Sequence, residues 1–411
     1  MSNFQTIYIP EWTTLSPDDI QKRYGIRKLS AEDLNIVNSL ETQRKISIRQ
    51  LSDGIEINTT SYVGLIKLSN FQIVITPKIN KLQLAQMISF TYGLEHIDYF
   101  ELETEIETKS GLITDLLALL FVKETEKIML KGLSKRYTER EENISSCRGK
   151  IVFNKLARNT TLGLTLPCRY QELTVDIPEN RLLLASLIEL GKYVTTSSLK
   201  RKINILSENL RKRVKYETLT SSLLKCAKQQ KDRLTGHYTT VIELAEMILS
   251  GTDFSLKSGR KRFLSFLLDM NLLFEKFLYR YLAKTIEPGI NIKYQKPLNN
   301  RYISSNGKEH RLIPDYSFYT NEELFAIADA KYKDYDNKDI YSGDLYQLTV
   351  YGIANRKGID KIYLMYPSNK ELIEKQYSLQ IGRQKNIKIV LKGIPLYRML
   401  DSLGNDYIVL F

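Results

Sequence analysis

Two aspartates and a lysine stand at a spacing that could bring them together on neighbouring strands: Asp315, Asp329 and Lys331. If Asn321 and Glu322 form the tip of a hairpin, the midpoint between the two aspartates falls at residue 322, so they would face each other across antiparallel strands. The two-residue period of a strand sends Lys331 to the same side as Asp329. We therefore expect two carboxylates and one amine to converge.

The same period predicts how the rest of the second strand is divided between its two faces. The face with the acid is predicted to carry Phe325, Ile327, Asp329 and Lys331. The opposite face is predicted to carry Leu324, Ala326, Ala328 and Ala330.

Two acids side by side in an apolar sheet repel each other and are poorly solvated, unless a proton or a cation relieves them. Carboxylate oxygens, together with phosphate and water, are the ligands that Mg²⁺ prefers. Lys331 would then lie beside the metal, where it could orient or deprotonate an attacking water and stabilise charge that develops on a phosphate. The pattern predicts metal-assisted phosphodiester chemistry.

A third acid, Glu275, lies on the run 263–283, which predicts one long apolar helix. The residues that share its helix face, at three- and four-residue spacing, are mostly apolar, so this carboxylate needs a partner. One interpretation is that Glu275 joins the two aspartates and the lysine. The other is a helix-edge acid paired with Lys276 or Arg280.

Gln347 and Tyr351 are four residues apart on a later predicted helix, so both could reach the same cleft. On spacing alone, the pattern favours two ordinary residues at a packing interface. The chain also holds a second acid-x-Lys triplet, Asp336-Asn337-Lys338, which lacks the same predicted strand context.

Short β-type runs fill residues 1–80, at 46–50, 55–58, 62–68 and 71–79, and predict a small barrel or sandwich. Ser16-Pro17-Asp18-Asp19 predicts a helix start with a serine cap. Helical periodicity follows from about residue 81, an irregular, partly β insert spans about 145–177, and Pro178 opens another helix. After about residue 256 helices and strands are mixed, ending in the run 407–411, which predicts a buried terminal strand.

The predicted fold is therefore multidomain α+β. We expect a β-rich N-terminal domain at 1–100, a mainly helical linking region with a basic helix and a small β insert at 101–255, and a C-terminal α/β domain with a mixed sheet at 256–411.

The chain has 411 residues and a formal net charge of +13, which favours a polyanionic partner, either nucleic acid or an anionic surface. Three cysteines without a CxxC pair indicate a reducing compartment. No secretory signal or membrane span is evident, so we expect a cytoplasmic protein without membrane contact. Between Lys200 and Arg233 eleven basic residues stand against three acidic ones, which fits either a solvated helix face or a surface that follows phosphates.

Pro-Asp on one strand, Asp-x-Lys on the next, an acidic helix before them and a Gln-x-x-x-Tyr helix after them resemble the signature of the PD-(D/E)XK nuclease superfamily. The resemblance to one member, the McrC family of McrBC-type restriction systems, is more specific. Its C-terminal motifs here are Leu273-Phe274-Glu275-Lys276-Phe277, Ile313-Pro314-Asp315, Asp329-Ala330-Lys331-Tyr332 and Tyr346-Gln347-Leu348-Thr349-Val350-Tyr351. Its N-terminal motifs are Tyr62-Val63-Gly64-Leu65-Ile66, Ile75-Thr76-Pro77-Lys78-Ile79, Gly132-Leu133 with Tyr137, Arg148-Gly149-Lys150-Ile151, and Asp176 with Asn180-Arg181.

This resemblance implies a Mg²⁺-dependent endonuclease that cleaves double-stranded, modified DNA together with a hexameric AAA+ GTPase of the McrB type. Asp315, Asp329 and the Ala330 carbonyl would hold the metal, with Glu275 binding or ordering a water linked to it. Lys331 would be the catalytic amine, whereas Gln347 and Tyr351 would position the phosphate or neighbouring side chains.

The resemblance also implies that the partner recognises the modified base, such as 5-methylcytosine, and translocates along DNA. The β-rich N-terminal domain would dock on this motor and stimulate GTP hydrolysis. The chain has no GxxxxGK[ST] loop, so GTP is expected to bind to the partner and not to this chain.

Three alternatives stay open at this point. The chain could be a non-cleaving regulator of the GTPase that binds DNA. It could be the subunit of a related LlaJI-type system that reads a defined sequence. It could also be a stand-alone repair or transposition nuclease, which would cut without GTP or a partner.

Overall fold

The computed structural model describes residues 5–94, 113–156, 165–229, 233–252, 257–258, 261–262, 265–298, 301–354, 359, 361–368, 370, 373–381 and 385–402. The chain divides into two compact units, one formed by residues 1–108 with 267–411 and the other by residues 109–266. This division does not test the three predicted domain ranges, which stay predictions. The multidomain α+β character is confirmed.

The first unit begins with short strands and two capped helices. Its first elements are β1 Gln5–Pro10, β2 Thr14–Leu15, α1 Pro17–Tyr24, α2 Ala31–Thr42, β3 Ile46–Gln50, β4 Ile55–Thr59, β5 Tyr62–Lys67, β6 Phe71–Thr76 and α3 Lys81–Tyr92. The predicted cap is confirmed, because the Ser16 side chain accepts a hydrogen bond from the backbone N–H of Asp19. The four predicted β runs of this segment are confirmed as β3 to β6.

The strands of this segment form two small sheets. One has the order β2-β4-β3, and the other has β1, β6 and β5 followed by β12, Ser265–Asp269. Strands β1 and β6 run parallel, whereas β5 and β6 are antiparallel.

The remainder of the first unit carries the site. Its elements are α10 Met270–Thr285, β13 Ile290–Tyr294, β14 Arg301–Ile303, β15 Glu309–Arg311, β16 Tyr316–Thr320, β17 Glu323–Ala330, α11 Ser342–Ala354, β18 Lys361–Ser368, β19 Ile373–Ile381, β20 Lys385–Pro395 and α12 Leu396–Ser402. Six of these strands form one sheet in the order β13-β16-β17-β18-β20-β19. The sheet is mixed, as predicted, because β17, β18 and β20 run parallel while its other pairs are antiparallel.

The predicted single helix over 263–283 is wrong in its first part, where β12 occupies Ser265–Asp269. The side chain of Asp269 accepts hydrogen bonds from the backbone N–H groups of Asn271 and Leu272 and therefore caps α10. A cap satisfies backbone donors that have no partner inside the helix, so the helix begins here despite the apolar residues before it.

Helix α11 packs on the six-stranded sheet over an apolar core. Leu348 and Tyr351 of the helix meet Ile327, Ile362 and other buried strand residues. Gly352 allows this close approach, because a Cβ at its position would lie 2.7 Å from Cδ1 of Ile362. The core holds α11 against β17, the strand that carries Asp329.

The second unit is mainly helical with one small sheet. Its elements are α4 Ile113–Lys131, β7 Arg136–Ile144, β8 Lys150–Ile151, α5 Phe153–Leu156, β9 Leu166–Thr174, α6 Pro178–Leu190, α7 Ser197–Arg211, α8 Ser221–Gln229, a 3₁₀ helix Arg233–Tyr238, α9 Thr239–Gly251, β10 Lys257–Ser258 and β11 Lys261–Arg262. Pro178 opens a helix as predicted. Arg201, Lys202 and other basic residues of α7 are exposed, so the part of the basic run that lies in α7 is on a solvated face, and its use as a phosphate surface stays a prediction.

No helix among the described residues combines the length and apolar character needed to cross a membrane. The predicted terminal strand at 407–411 lies outside the described residues.

Candidate active site

The first element of the site is the hairpin β16–β17, whose turn is Asn321 and Glu322 as predicted. Both residues have positive φ, 49° and 65°, which is the backbone of a type I′ turn and matches the twist of the flanking strands. Thr320 pairs with Glu323 next to the turn, but farther along Tyr316 pairs with Ala328. A regular two-residue hairpin cannot give both pairings, so the register shifts between them.

A β-bulge between Phe318 and Tyr319 produces this shift. Phe318 pairs with Ala326 and Tyr319 with Leu324, which leaves Phe325 as the extra residue. One step beyond the last pair, Asp315 and Asp329 come opposite each other, as predicted. Without the extra residue, a hairpin with this turn would place Asp315 opposite Ala328.

The bulge also corrects one predicted strand face. Leu324 packs against the same apolar core as Ile327, whereas strict alternation put these two residues on opposite faces. Because an extra residue interrupts the two-residue period, the alternation predicted for the strand holds only after the bulge.

Asp315, Asp329 and Lys331 converge at the end of this hairpin. Oδ2 of Asp315 accepts a hydrogen bond of 2.7 Å from the backbone N–H of Ala330. Nζ of Lys331 lies 2.5 Å from Oδ2 of Asp329, which is 1% exposed. The backbone N–H of Lys331 donates to the Met365 carbonyl on the parallel strand β18, so the lysine is fixed at both its backbone and its side chain.

The electrostatics of this group are those of crowded acids. Burial raises the pKa of Asp315 to about 8, and the nearby carboxylates of Asp329 and Glu275 add to the effect. Burial opposes the charge of Lys331, but Asp329 and Asp315 outweigh it and raise the lysine pKa above its ordinary value. The amine therefore holds its proton at neutral pH, and Asp315 also takes up a proton unless a cation lies beside it.

Glu275, on α10, belongs to the same group. Its Oε1 accepts a hydrogen bond of 2.8 Å from Nε2 of Gln295. Burial raises the pKa of Glu275, and Asp329 raises it further, while hydrogen bonds from Tyr294 and Gln295 lower it. The hydroxyl of Tyr316 donates to the backbone carbonyl of Glu275 and so ties the helix to β16.

The alternative ion pairs considered for Glu275 do not form. Nη1 of Arg280 donates to the Thr91 carbonyl at 2.8 Å. Nζ of Lys276 lies 5.7 Å from the ring centroid of Tyr92. Both cations are thus directed toward α3 and not toward the acid.

Gln347 and Tyr351 share a face of α11, as predicted from their spacing. Nε2 of Gln347 donates to the Tyr351 hydroxyl at 2.9 Å, and this hydroxyl donates to the Ile313 carbonyl at 3.0 Å. Burial and the charge of Asp329 raise the pKa of Tyr351 to about 12, so the phenol keeps its proton. The pair therefore holds the segment that leads into Asp315.

Tyr294 and Gln295 were missed by the sequence analysis. Gln295 has a positive φ of 44°, and its backbone N–H donates to the Asp315 carbonyl at 2.9 Å. It therefore contacts two of the three acids, one through its side chain and one through its backbone. The only signal in the sequence is a polar residue at the end of a strand, and that position gives no indication of the backbone twist.

The second acid-x-Lys triplet lies outside this group. Asp336 accepts hydrogen bonds from the Ser368 hydroxyl, and Lys338 is exposed. The triplet alone is therefore not sufficient to form the site.

The donor set fits a hard divalent cation. Three carboxylates and a backbone carbonyl supply only oxygen ligands, and the raised pKa of Asp315 marks a position where added positive charge is favourable. No three His, Cys, Asp or Glu side chains in the described part of the chain are close enough to hold a metal unaided. Mg²⁺ is commonly bound by one or two carboxylates with water and substrate phosphate, which agrees with a site where three such side chains do not reach one ion by themselves.

A family model described as McrBC 5-methylcytosine restriction system component matches residues 57–367. No curated protein matches the chain.

Two solved structures from Thermococcus gammatolerans are similar. One is a refined half-complex from a tetradecameric assembly of McrB AAA+ hexamers with bound McrC; its matching chain is 19% identical, with a TM-score of 0.58, over 98% of this chain and 100% of that chain. The other is a cryo-EM structure of the McrBC complex, 19% identical with a TM-score of 0.46 over 69% of this chain and 88% of that chain. The first likeness concerns the fold, along nearly the whole chain.

Proposed function

The chain belongs to the McrBC family of 5-methylcytosine restriction system components, and from this premise we propose that it is the DNA-cleaving subunit of such a system. Its nuclease part would be a PD-(D/E)XK domain that hydrolyses phosphodiester bonds with Mg²⁺. The observation that carries the proposal is the meeting of Asp315, Asp329, Lys331 and Glu275 at the end of one hairpin.

Each residue would have a distinct part in the reaction. Asp315, Asp329 and the Ala330 carbonyl would hold Mg²⁺, which when bound would withdraw negative charge from the scissile phosphate. Lys331, kept protonated by its acidic neighbours, would stabilise the charge that develops on the phosphate and would not serve as a base. Glu275 would order the attacking water.

Gln347 and Tyr351 would act one step away from the reacting atoms. Their hydrogen bonds to each other and to the Ile313 carbonyl support the chain just before Asp315. They would therefore fix the position of this aspartate, which is a narrower role than direct contact with the phosphate.

The proposed partner is a hexameric AAA+ GTPase of the McrB type, which would read the modified base and bind GTP. The support is family membership together with a fold like that of a chain bound to McrB AAA+ hexamers. This chain lacks a GxxxxGK[ST] loop, so the nucleotide would be hydrolysed by the partner. The β-rich N-terminal part would dock on the motor and stimulate it.

The test is cleavage of methylated DNA by the chain with its partner, GTP and Mg²⁺. We expect Asp329→Ala and Lys331→Ala each to reduce the cutting rate at least about 100-fold, because they remove a metal ligand and a charge that acts in the transition state. GTPase stimulation should be retained by both variants, since neither changes the N-terminal part.

Lys338→Ala is the matched control, because it alters an exposed lysine of the other Asp-x-Lys triplet and should cut at the wild-type rate. Full cutting by Lys331→Ala would refute the assignment. GTPase stimulation without cleavage by wild-type protein would instead indicate a regulator, and cleavage without partner or GTP would indicate a stand-alone nuclease.

A further inference from the structure

A small hairpin stands directly before the site in the chain. Strands β14 and β15 pair in antiparallel fashion, with Arg301 opposite Arg311 and Ile303 opposite Glu309. Gly307 has a positive φ of 79° in the turn, and its N–H donates to the Ser304 carbonyl, which closes the tip. The hairpin is thus an ordered element and not an open loop.

The base of this hairpin is fixed to the site. The backbone N–H of Leu298 donates to the Leu312 carbonyl at 2.8 Å, and both side chains pack on the core beneath α11. The next residue, Ile313, has the carbonyl that accepts from Tyr351. Only Pro314 then separates the anchored segment from Asp315.

The charge of the hairpin is positive, and its charged side chains are exposed. Residues 301–311 contain three basic residues and one acid, and Arg301 pairs with that acid, Glu309, at 2.7 Å. Among the described residues, neither Lys308 nor Arg311 forms an ion pair. Arg301 and Arg311 face each other across the strands, and the single acid Glu309 pairs with Arg301 only.

The same face carries an exposed apolar side chain. Ile303 is 64% exposed, although it lies beside the arginines. Ile303 lies opposite Glu309, which pairs with Arg301, so Arg311 is the basic residue on this face that has no ion pair among the described residues. A cation and an exposed apolar side chain on one face match the chemistry of a DNA strand, in which phosphates alternate with deoxyribose. An acidic protein surface could pair with the basic side chains, but it would not offer the apolar contact that Ile303 needs.

The reach of the hairpin suits a substrate that is being cut. Arg311 precedes Asp315 by four residues, so their Cα atoms are at most about 14 Å apart. Phosphates of one DNA strand follow each other at about 3.4 Å along the helix axis. A duplex cleaved at Asp315 would therefore have phosphates within about four base pairs of the cut beside this hairpin.

We propose that the β14–β15 hairpin is a DNA-backbone clamp, in which Arg311 binds a phosphate near the scissile bond, Ile303 lies against the sugar edge, and Lys308, beside the turn, binds a phosphate farther along the duplex. This rests on the proposed nuclease function and adds the surface that holds its substrate. The contacts are to the backbone, so the clamp would bind duplexes irrespective of sequence.

The test compares full-length wild type with Lys308→Ala/Arg311→Ala. Binding of a short fluorescein-labelled duplex is measured by anisotropy in EDTA, between about 50 and 200 mM KCl. Loss of two phosphate contacts should make the slope of log K against log salt shallower by about 1.8 and weaken binding about 60-fold at 0.1 M salt. Lys308→Arg/Arg311→Lys keeps both charges and should bind like wild type.

Lys22→Ala/Arg23→Ala removes the same net charge from exposed positions on α1 and is the matched control. An unchanged slope and affinity in the hairpin variant would overturn the clamp, as would an equal loss in the control, which would reflect net charge alone. Because binding is measured without metal, partner or cleavage, failure of the clamp leaves the cutting result for Lys331→Ala untouched. Unimpaired cutting by Lys331→Ala would likewise refute the nuclease assignment and leave the binding result standing.

Discussion

The side chains of the site are arranged for charge and not for packing. Three carboxylates share one lysine, and burial raises the pKa of Asp315 to about 8, so a proton occupies it at neutral pH unless a cation replaces the proton. Lys331 is held protonated by its neighbours. On the proposed function, the acids would hold the metal, and the protonated lysine would stabilise charge on the phosphate and would not act as a base.

Gln295 is expected to set the orientation of Glu275. Gln295→Leu removes the 2.8 Å hydrogen bond to Oε1 of Glu275, and we expect the cutting rate to fall about 10-fold and the half-saturating Mg²⁺ concentration to rise by a similar factor. Cleavage measured across a Mg²⁺ series, with saturating partner and GTP, gives both values.

Gln376→Leu is the matched control, since Gln376 is also exposed and donates a 2.8 Å hydrogen bond to a glutamate, Glu374, in β19. A change in Mg²⁺ dependence that is equal in both variants would contradict a positioning role for Gln295. An unaltered Mg²⁺ dependence in Gln295→Leu would contradict it as well.

At the scale of elements, the bulged hairpin β16–β17 decides where the acids meet. The type I′ turn fixes the pairing of Thr320 with Glu323, and the bulge at Phe325 then moves the partner of Asp315 by one residue. The turn alone would place Asp315 opposite Ala328. The extra residue of the bulge shifts the register so that Asp315 lies opposite Asp329.

Deletion of Phe325 should leave the site intact. The pairs on either side of the bulge, Phe318 with Ala326 and Tyr319 with Leu324, become consecutive in a regular ladder without the extra residue. We expect the variant to cut within about threefold of wild type, since bulges alter twist locally while the register beyond them is kept.

Insertion of one alanine between Ile327 and Ala328 is the informative counterpart, because it moves Asp329 past Asp315 and onto the other face of the strand. Circular dichroism should first establish that both variants fold. Loss of cutting in a folded deletion variant would show that the bulge has a role beyond setting the register.

At the scale of the first unit, the N-terminal strands contact the segment that follows Lys331. Oε1 of Glu11 accepts hydrogen bonds from the Lys78 backbone N–H at 2.8 Å and from the Tyr332 hydroxyl at 3.1 Å. Glu11 is 1% exposed, and its Oε2 makes no hydrogen bond to any residue that the structure describes. Tyr332, the residue after Lys331, is thus hydrogen-bonded to a residue close to the N-terminus of the chain.

This buried acid predicts a pH dependence of stability. Burial raises the pKa of Glu11 to about 7 from 4.5, so the folded state binds more protons than the unfolded state between these values. Its contribution to stability is full below pH 4.5 and is lost as the pH rises through 7, by at most about 3 kcal/mol. Glu11→Gln should therefore lose less free energy of unfolding than wild type between pH 5.5 and pH 8.

Urea unfolding at these two pH values measures the difference. Between pH 5.5 and pH 8, the free energy of unfolding is expected to fall by about 1 to 3 kcal/mol less for the variant than for wild type. Parallel behaviour of the two proteins would mean that Glu11 does not titrate in this range. Glu374→Gln, at an exposed position, is the control and should follow wild type.

The amino-acid order alone was enough for local features, because they depend on neighbours in the chain. The serine cap before α1, the strands β3 to β6, the turn at Asn321 and the grouping of Asp315 with Asp329 and Lys331 were all predicted and are present. The prediction that the two aspartates pair took residue 322 as the midpoint of the hairpin. A two-residue turn at Asn321 and Glu322 without a bulge would instead place Asp315 opposite Ala328.

Contacts between distant segments were decided only by the tertiary structure. The bulge at Phe325, the left-handed backbone of Gln295 and the bond between Glu11 and Tyr332 each depend on packing or on partners far away in the sequence. Periodicity describes one element at a time and carries no information about which residue an acid meets across a fold. Those encounters are set by register and burial, which exist only once the elements have packed together.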